Sequence, residues 1–183
     1  EILKHALIAD KKFYNYLNKH VLKVLNLRSP FIEKAIFESC KIKKTVVEKD
    51  EKERGIRKIL NFGHTFGHAY EAALGYSKKL NHGEAVILGM NTALKFSLKN
   101  NLIKKKQYNS VINHFTLAKL PFNIKNYFSL KDLNKILSFM IKDKKNIYNK
   151  IKLILLKNIG STLSNQQYTK ASLKYFLKIE LAN

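Results

Sequence analysis

Cysteine occurs once in the 183 residues, at Cys40, so no disulfide framework holds this chain together, and a reducing cytoplasm is the expected location. Two prolines and seven glycines are too few for a turn-rich β sandwich and point instead to long helices. No apolar run approaches the ~20 residues of a membrane span, and no charged-then-apolar leader opens the chain, so no membrane partner is expected. Acidic residues are scarce: 13 stand against 35 Lys and Arg, which gives a net charge of +22. Such a charge first suggests nucleic acid as a partner. Arginine is scarcer still, with only Arg28, Arg54 and Arg57, whereas asparagine occurs eighteen times. Dedicated nucleic-acid binders rely on arginine for bidentate and stacked contacts. A lysine- and asparagine-rich background gives the same charge with no partner, and no nucleic acid is expected.

What is present is enough for one domain. A hydrophobic content of 45% supports a genuine core and is too high for a disordered tail. The first residue is Glu1, not Met, which suggests a piece of a longer polypeptide. Apolar residues at a period near 3.6 predict one helix over 1–18. Ser29-Pro30 signals a second, with Ser29 as N-cap, Pro30 at the first helical position and Glu33 in the first turn, running to about Lys49. A charged stretch at 50–54 follows, with Gly55 as a stop. Helices are then predicted over 57–73, 83–99, 104–116, 130–141 and 170–179. Lys152–Lys157 is short and β-branched on this helical background and reads as a strand. The expected fold is therefore mainly α, one multi-helix domain over 1–183 with a short strand or hairpin near 147–160.

Three of the six histidines, His64, His68 and His82, fall within nineteen residues. On a helix His64 and His68 project from one face. That spacing lets both reach a common metal, or lets one hold metal while the other handles a proton. The glycines of Gly63-His64-Thr65-Phe66-Gly67-His68 remove side chains beside both rings, so a ligand or another helix can approach closely. His82-Gly83-Glu84 stands at a loop-to-helix entry, a good place for a third ligand. Borderline zinc favours imidazoles plus one carboxylate with an open position. Lys43, Arg57 and Asn61 flank this face, and Arg57, Asn61, His64 and His68 form a polar stripe on the predicted helix. Cation, amide and imidazole together suit an anionic, hydroxyl-rich substrate beside a metal.

The run Arg57-Lys-Ile-Leu-Asn61-Phe-Gly-His64-Thr-Phe-Gly-His68-Ala-Tyr-Glu71, with His82-Gly-Glu-Ala-Val-Ile-Leu-Gly-Met90, resembles the 3-dehydroquinate synthase family. Glu1-Ile-Leu-Lys4, the segment Lys43 to Arg57, and Asp143-Lys144-Lys145 before a Lys/Ile/Leu strand agree with it in order and spacing. The resemblance implies the C-terminal domain of the dehydroquinate synthase-like fold, with Glu1, His64 and His82 as ligands of Zn²⁺ or Co²⁺. It makes His68 a substrate contact, along with Lys4, Lys43, Arg57 and Asn61, and it sets Lys145, with Lys144, at the substrate's phosphate end. The roles of Asp50 and Glu53 stay open: they support the cationic cluster, or they cap and solvate a loop.

The reaction so implied turns 3-deoxy-D-arabino-heptulosonate 7-phosphate into 3-dehydroquinate and phosphate, a carbon–oxygen lyase step of the shikimate pathway. Bound NAD oxidises a ring alcohol, phosphate leaves by β-elimination, the hydride returns, and an aldol closes the carbocycle. A homodimer is implied as well. The chain has no Gly-rich strand–turn–helix to cradle a pyrophosphate, so the NAD-binding α/β half is expected upstream, and this piece alone is expected to be inactive. Three alternatives remain at this stage. They are another sugar-phosphate cyclase, a metal-dependent polyol dehydrogenase of the same fold, and a basic helical nucleic-acid-binding module.

Overall fold

A computed structural model describes residues 1–142 and 150–182; Lys144 and Lys145 lie outside the described residues. The chain is mainly helical, as its composition predicts: α1 (Ile2–Ala9), α2 (Lys11–Lys19), α3 (Val21–Leu25), α4 (Phe31–Lys49), α5 (His64–Ala73), α6 (His82–Lys99), α7 (Lys105–Leu117), α8 (Leu133–Lys142) and α9 (Lys170–Ala182). Between α8 and α9 stands an antiparallel hairpin of β1 (Lys150–Asn158) and β2 (Ser161–Thr169). Among the described residues no helix is long and apolar enough to cross a membrane.

Four predicted boundaries move, each for a local reason. The helix expected over 1–18 breaks at Asp10, whose carboxylate accepts the Phe13 N–H and so starts α2 afresh. Ser29 is not the N-cap of α4; Pro30 holds that position, without a side-chain cap. The helix expected over 57–73 is split. Ile56–Asn61 forms a 3₁₀ helix, Phe62 is extended, and Gly63 takes a φ of 81° before α5 begins at His64. The stripe from Arg57 to His68 is therefore not one continuous helix face. Finally, the hairpin runs to Thr169, because polar β2 pairs along the whole of β1 and so satisfies its backbone groups.

The centre of the fold is α6, which packs against α5 and lies along β1. Leu88, Met90 and Leu94 on it are fully buried, and Phe66 and Tyr70 of α5 lie in the same core. Glycines set how closely the two helices approach. A methyl on Gly67 would sit 2.9 Å from the Ala85 carbonyl oxygen, and one on Gly89 would sit 2.0 Å from that of Gly63. The glycines of the histidine motif thus admit another helix. Pairing of Gly63 with Met90, Gly67 with Ala85 and Glu71 with His82 shows that α5 and α6 run antiparallel. The Gly160 N–H of the hairpin turn donates to the Leu7 carbonyl oxygen at 2.8 Å, tying the hairpin to α1.

Candidate active site

Four segments converge on the histidine end of the α5–α6 pair. His64 is the first residue of α5, just past the Gly63 turn. His82 is the first residue of α6, placed by a capping box in which the Glu84 carboxylate accepts the Asn81 N–H at 2.8 Å. Helix α1 presents Glu1, Lys4 and His5, and the segment 50–61 presents Arg57 and Asn61. Glu1, Lys4, Lys43, Arg57, Asn61 and His64 all line one cavity of about 200 Å³.

The three imidazoles form a cluster. Ring centroids lie 5.3 Å apart for His64 and His68, 5.7 Å for His64 and His82, and 5.9 Å for His68 and His82. Hydrogen bonds orient two of them. His64 Nδ1 is 3.2 Å from the Phe62 carbonyl oxygen, which can only accept, so Nδ1 carries the proton and Nε2 the lone pair. That Nε2 is 4.0 Å from Glu1 Oε1. His82 Nδ1 is 3.2 Å from both carboxylate oxygens of Glu71, which leaves its Nε2 turned away from the same acceptor. Burial, aided by the nearby Lys4 charge, pushes His64 down to about 4 and keeps it neutral, the form that ligates metal.

Glu1 works under opposing influences. Burial tends to raise its carboxyl, but the hydrogen bond and charge of Lys4 outweigh that and hold it at about 2. Lys4 Nζ donates to both Glu1 oxygens, at 2.8 and 3.1 Å. Lys4 is almost fully buried, and that burial lowers its ammonium from the ordinary lysine value. His5, also buried, is pushed down to about 4 by burial and by Lys4.

The open roles of the two acids now have structural answers. Asp50 gathers three backbone donors, the N–H groups of Arg54, Gly55 and Arg57, at 2.7 to 3.0 Å. It thereby folds the loop that delivers Arg57, whose guanidinium donates to the Glu51 carbonyl oxygen. Glu53 accepts from the Asn61 amide and fixes its orientation toward the cavity. Asp50 thus caps the loop, and Glu53 braces Asn61. Lys43 reaches the cavity from exposed positions on α4.

A donor set of this kind fits zinc. Two ligand atoms on one tetrahedral ion stand about 3.3 Å apart, close to the 4.0 Å between Glu1 and His64. Among the described residues the group of three whose donor atoms come together is a different one, however, and Glu1, His64 and His82 are not such a group. Donor atoms of His68, Glu71 and His82 all lie within 4.8 Å of one another. Sequence reasoning assigned no role to Glu71 or His5. Glu71 stands seven residues after His64 inside the motif, and its spacing on α5 could have flagged it. His5 carries no such signal, since a lone histidine on an apolar face reads as core.

The helical body with its one hairpin has the fold of the dehydroquinate synthase-like C-terminal domain. It matches ValA (2-epi-5-epi-valiolone synthase) from Streptomyces hygroscopicus subsp. jinggangensis 5008, solved with NAD⁺ and Zn²⁺ bound, with a TM-score of 0.81 at 19% identity. That match covers 98% of this chain and 49% of the other. A family model described as 3-dehydroquinate synthase C-terminal matches residues 1–146, and the chain belongs to that family. The 3-dehydroquinate synthase of Pelagibacter ubique (strain HTCC1062) is 58% identical over 181 residues, 99% of this chain and 49% of that protein. That of Endomicrobium trichonymphae is 46% identical over 165 residues, covering 90% and 44%. The chain spans about half the length of the curated relatives it matches.

Proposed function

We propose that this chain is the metal- and substrate-binding half of a 3-dehydroquinate synthase, releasing phosphate from 3-deoxy-D-arabino-heptulosonate 7-phosphate to give 3-dehydroquinate. The observation that carries this is the convergence of Glu1, Lys4, Lys43, Arg57, Asn61 and His64 on one cavity beside His68 and His82. A volume of about 200 Å³ is below the ~300–1,000 Å³ of a complete ligand pocket. It suits one wall of a site whose other wall lies in the part of the relatives' length that this chain does not span. NAD would be held there.

Glu1, His64 and His82 would hold the zinc, with the Phe62 carbonyl and Glu71 fixing the two rings through Nδ1. When bound, zinc supplies a Lewis acid that polarises a substrate oxygen. The chain's own groups do the rest. Lys4, Lys43 and Arg57 bring fixed positive charge to a polyanionic substrate and hold it in one pose through successive steps. Asn61, its amide N–H engaged by Glu53, presents its carbonyl oxygen to a hydroxyl. His68, exposed beside the cluster, is placed to exchange a proton with the substrate. Lys145, with Lys144, is assigned to the phosphate end from sequence alone. A homodimer belongs to the same reading.

A second reading takes His68, Glu71 and His82 as the metal triad, on the strength of their compact donor atoms. The experiment uses the protein at the length of its relatives. Zinc content and phosphate release with NAD are measured for His64→Ala and His68→Ala. The first reading expects His64→Ala to lose zinc and His68→Ala to keep zinc while losing phosphate release. The reverse pattern of zinc loss selects the second triad. An unsubstituted protein that releases no phosphate with NAD and zinc present would end the assignment.

A further inference from the structure

We propose that His5, held from behind by Ser39, is a positioning residue that fixes the carboxylate of Glu1 for a bound metal ion. This rests on the reading of Glu1 and His64 as ligands. His5 is only 4% exposed, and its Nδ1 lies 2.7 Å from Ser39 Oγ, itself buried on α4. Its other nitrogen, Nε2, has no hydrogen-bond partner, yet it points at Glu1 Oε2 from 3.7 Å. The carboxylate decides the tautomer. A lone pair on Nε2 would face a negative oxygen, so the proton belongs on Nε2, and the Ser39 hydroxyl then donates to Nδ1.

The two oxygens of Glu1 are thereby divided. Lys4 holds both, Oε2 at 2.8 Å and Oε1 at 3.1 Å, but His5 approaches Oε2 alone, whereas Oε1 is the oxygen turned to His64 Nε2. A shift of Oε2 by about an ångström closes the His5 contact to the ~2.7–2.9 Å of a charge-assisted hydrogen bond. A neutral N–H donor orients a carboxylate without cancelling the charge that a cation needs, which Lys4 alone cannot do. Because His5 lies one turn beyond Glu1 on α1 and Ser39 comes from α4, the packing of these helices aims the ligand.

Zinc affinity is measured in the full-length protein by competition with a chromophoric chelator, and the ligand field by the visible spectrum of the Co²⁺-loaded form. His5→Ala is expected to weaken zinc ten- to hundredfold and to shift the cobalt bands, as supporting residues of metal sites do. His5→Gln, whose amide N–H can reach the same oxygen, is expected to recover most of the loss. Ser39→Ala, which keeps the ring but frees it, is expected to lose several-fold and carries the test if His5→Ala does not fold. Affinity and spectrum unchanged in both Ser39→Ala and His5→Gln, with metal lost in His64→Ala, would overturn the role of His5 if His5→Ala is unchanged too. So would a His5→Gln as weak as His5→Ala. If the unsubstituted protein binds no zinc, the underlying reading falls along with the inference.

Discussion

The carboxylate of Glu71 straddles Nδ1 of His82, with both of its oxygens at 3.2 Å. The acid comes from the second turn of α5 and the imidazole from the first residue of α6. The contact ties the ends of the antiparallel pair together at the point where the candidate metal site begins.

Removing that acid separates a supporting role from a ligating one. If Glu71 orients His82, Glu71→Ala should weaken zinc by roughly ten- to hundredfold. Glu71→Gln should lose much less, because an amide oxygen still accepts the Nδ1 proton. A chelator-competition titration reads both. Equal and severe loss in the two variants would make Glu71 a ligand itself.

The close approach of α5 and α6 predicts opposite effects for two glycines on one helix. Gly89→Ala drives a methyl to 2.0 Å from the Gly63 oxygen and 2.7 Å from the Gly67 nitrogen, both backbone atoms that cannot rotate away. A loss of at least about 3 kcal/mol is expected, the upper end of ordinary overpacking. Gly83 has nothing within 4 Å of where its Cβ would stand. Gly83→Ala should therefore be neutral or gain up to ~1 kcal/mol through helix propensity. Urea unfolding midpoints at constant slope test the pair.

Acid should destabilise the fold from the histidines first, and His114, on α7 and outside the histidine cluster, isolates the effect. It is buried on α7 with Nδ1 3.4 Å from Asn18 Oδ1, and burial pushes it down to about 4. An unfolded histidine titrates near 6.5. Between those values the unfolded chain takes up a proton that the folded chain refuses, so stability is full above about pH 6.5 and falls as pH drops toward 4. The loss assigned to this residue is about 3 kcal/mol at most. In His114→Gln the stability curve between pH 6.5 and 4 should be flatter, whatever the change in stability at pH 7. A variant curve parallel to that of the unsubstituted protein would contradict the assignment.

Asp50 makes a prediction about order. Its carboxyl is held below the ordinary aspartate value, first by the Arg57 N–H and then by those of Gly55 and Arg54, which together outweigh the opposing effect of burial. In Asp50→Ala these three amides should exchange with solvent at least tenfold faster, while amides in the middle of α6 stay protected. Asp50→Asn, which keeps one acceptor oxygen, should lie between. Uniform acceleration across the chain would mean that the carboxylate supports the whole fold, not this loop.

Much of the site was legible because its chemistry is written in one short stretch. His64, His68 and His82 fall within nineteen residues, and the glycines beside them signal a close approach. What was not legible depends on distant partners. His5 becomes more than a core histidine only once α4 brings Ser39 to its ring, 34 positions away. The polar string of β2 looks like a loop until β1 needs a partner along its length. The kink at Phe62 and Gly63 defeats a 3.6-residue period that otherwise runs straight through it. The break at Asp10, by contrast, was there to be read, since an aspartate before Lys-Lys-Phe is a good helix cap.

The bond from the Gly160 N–H to the Leu7 carbonyl oxygen makes the tip of the hairpin an end stop for the helix that carries Glu1. Loop tips ordinarily tolerate insertions well. This one is seated against the junction of two helices, with Lys11 N only 2.6 Å from where a Cβ on Gly160 would stand. A residue added there would push on α1 along its own axis, and each residue of helical slip displaces the far end by about 1.5 Å. The tip is thus a poor place to graft an epitope or a tag, though it touches the end of α1 farther from Glu1.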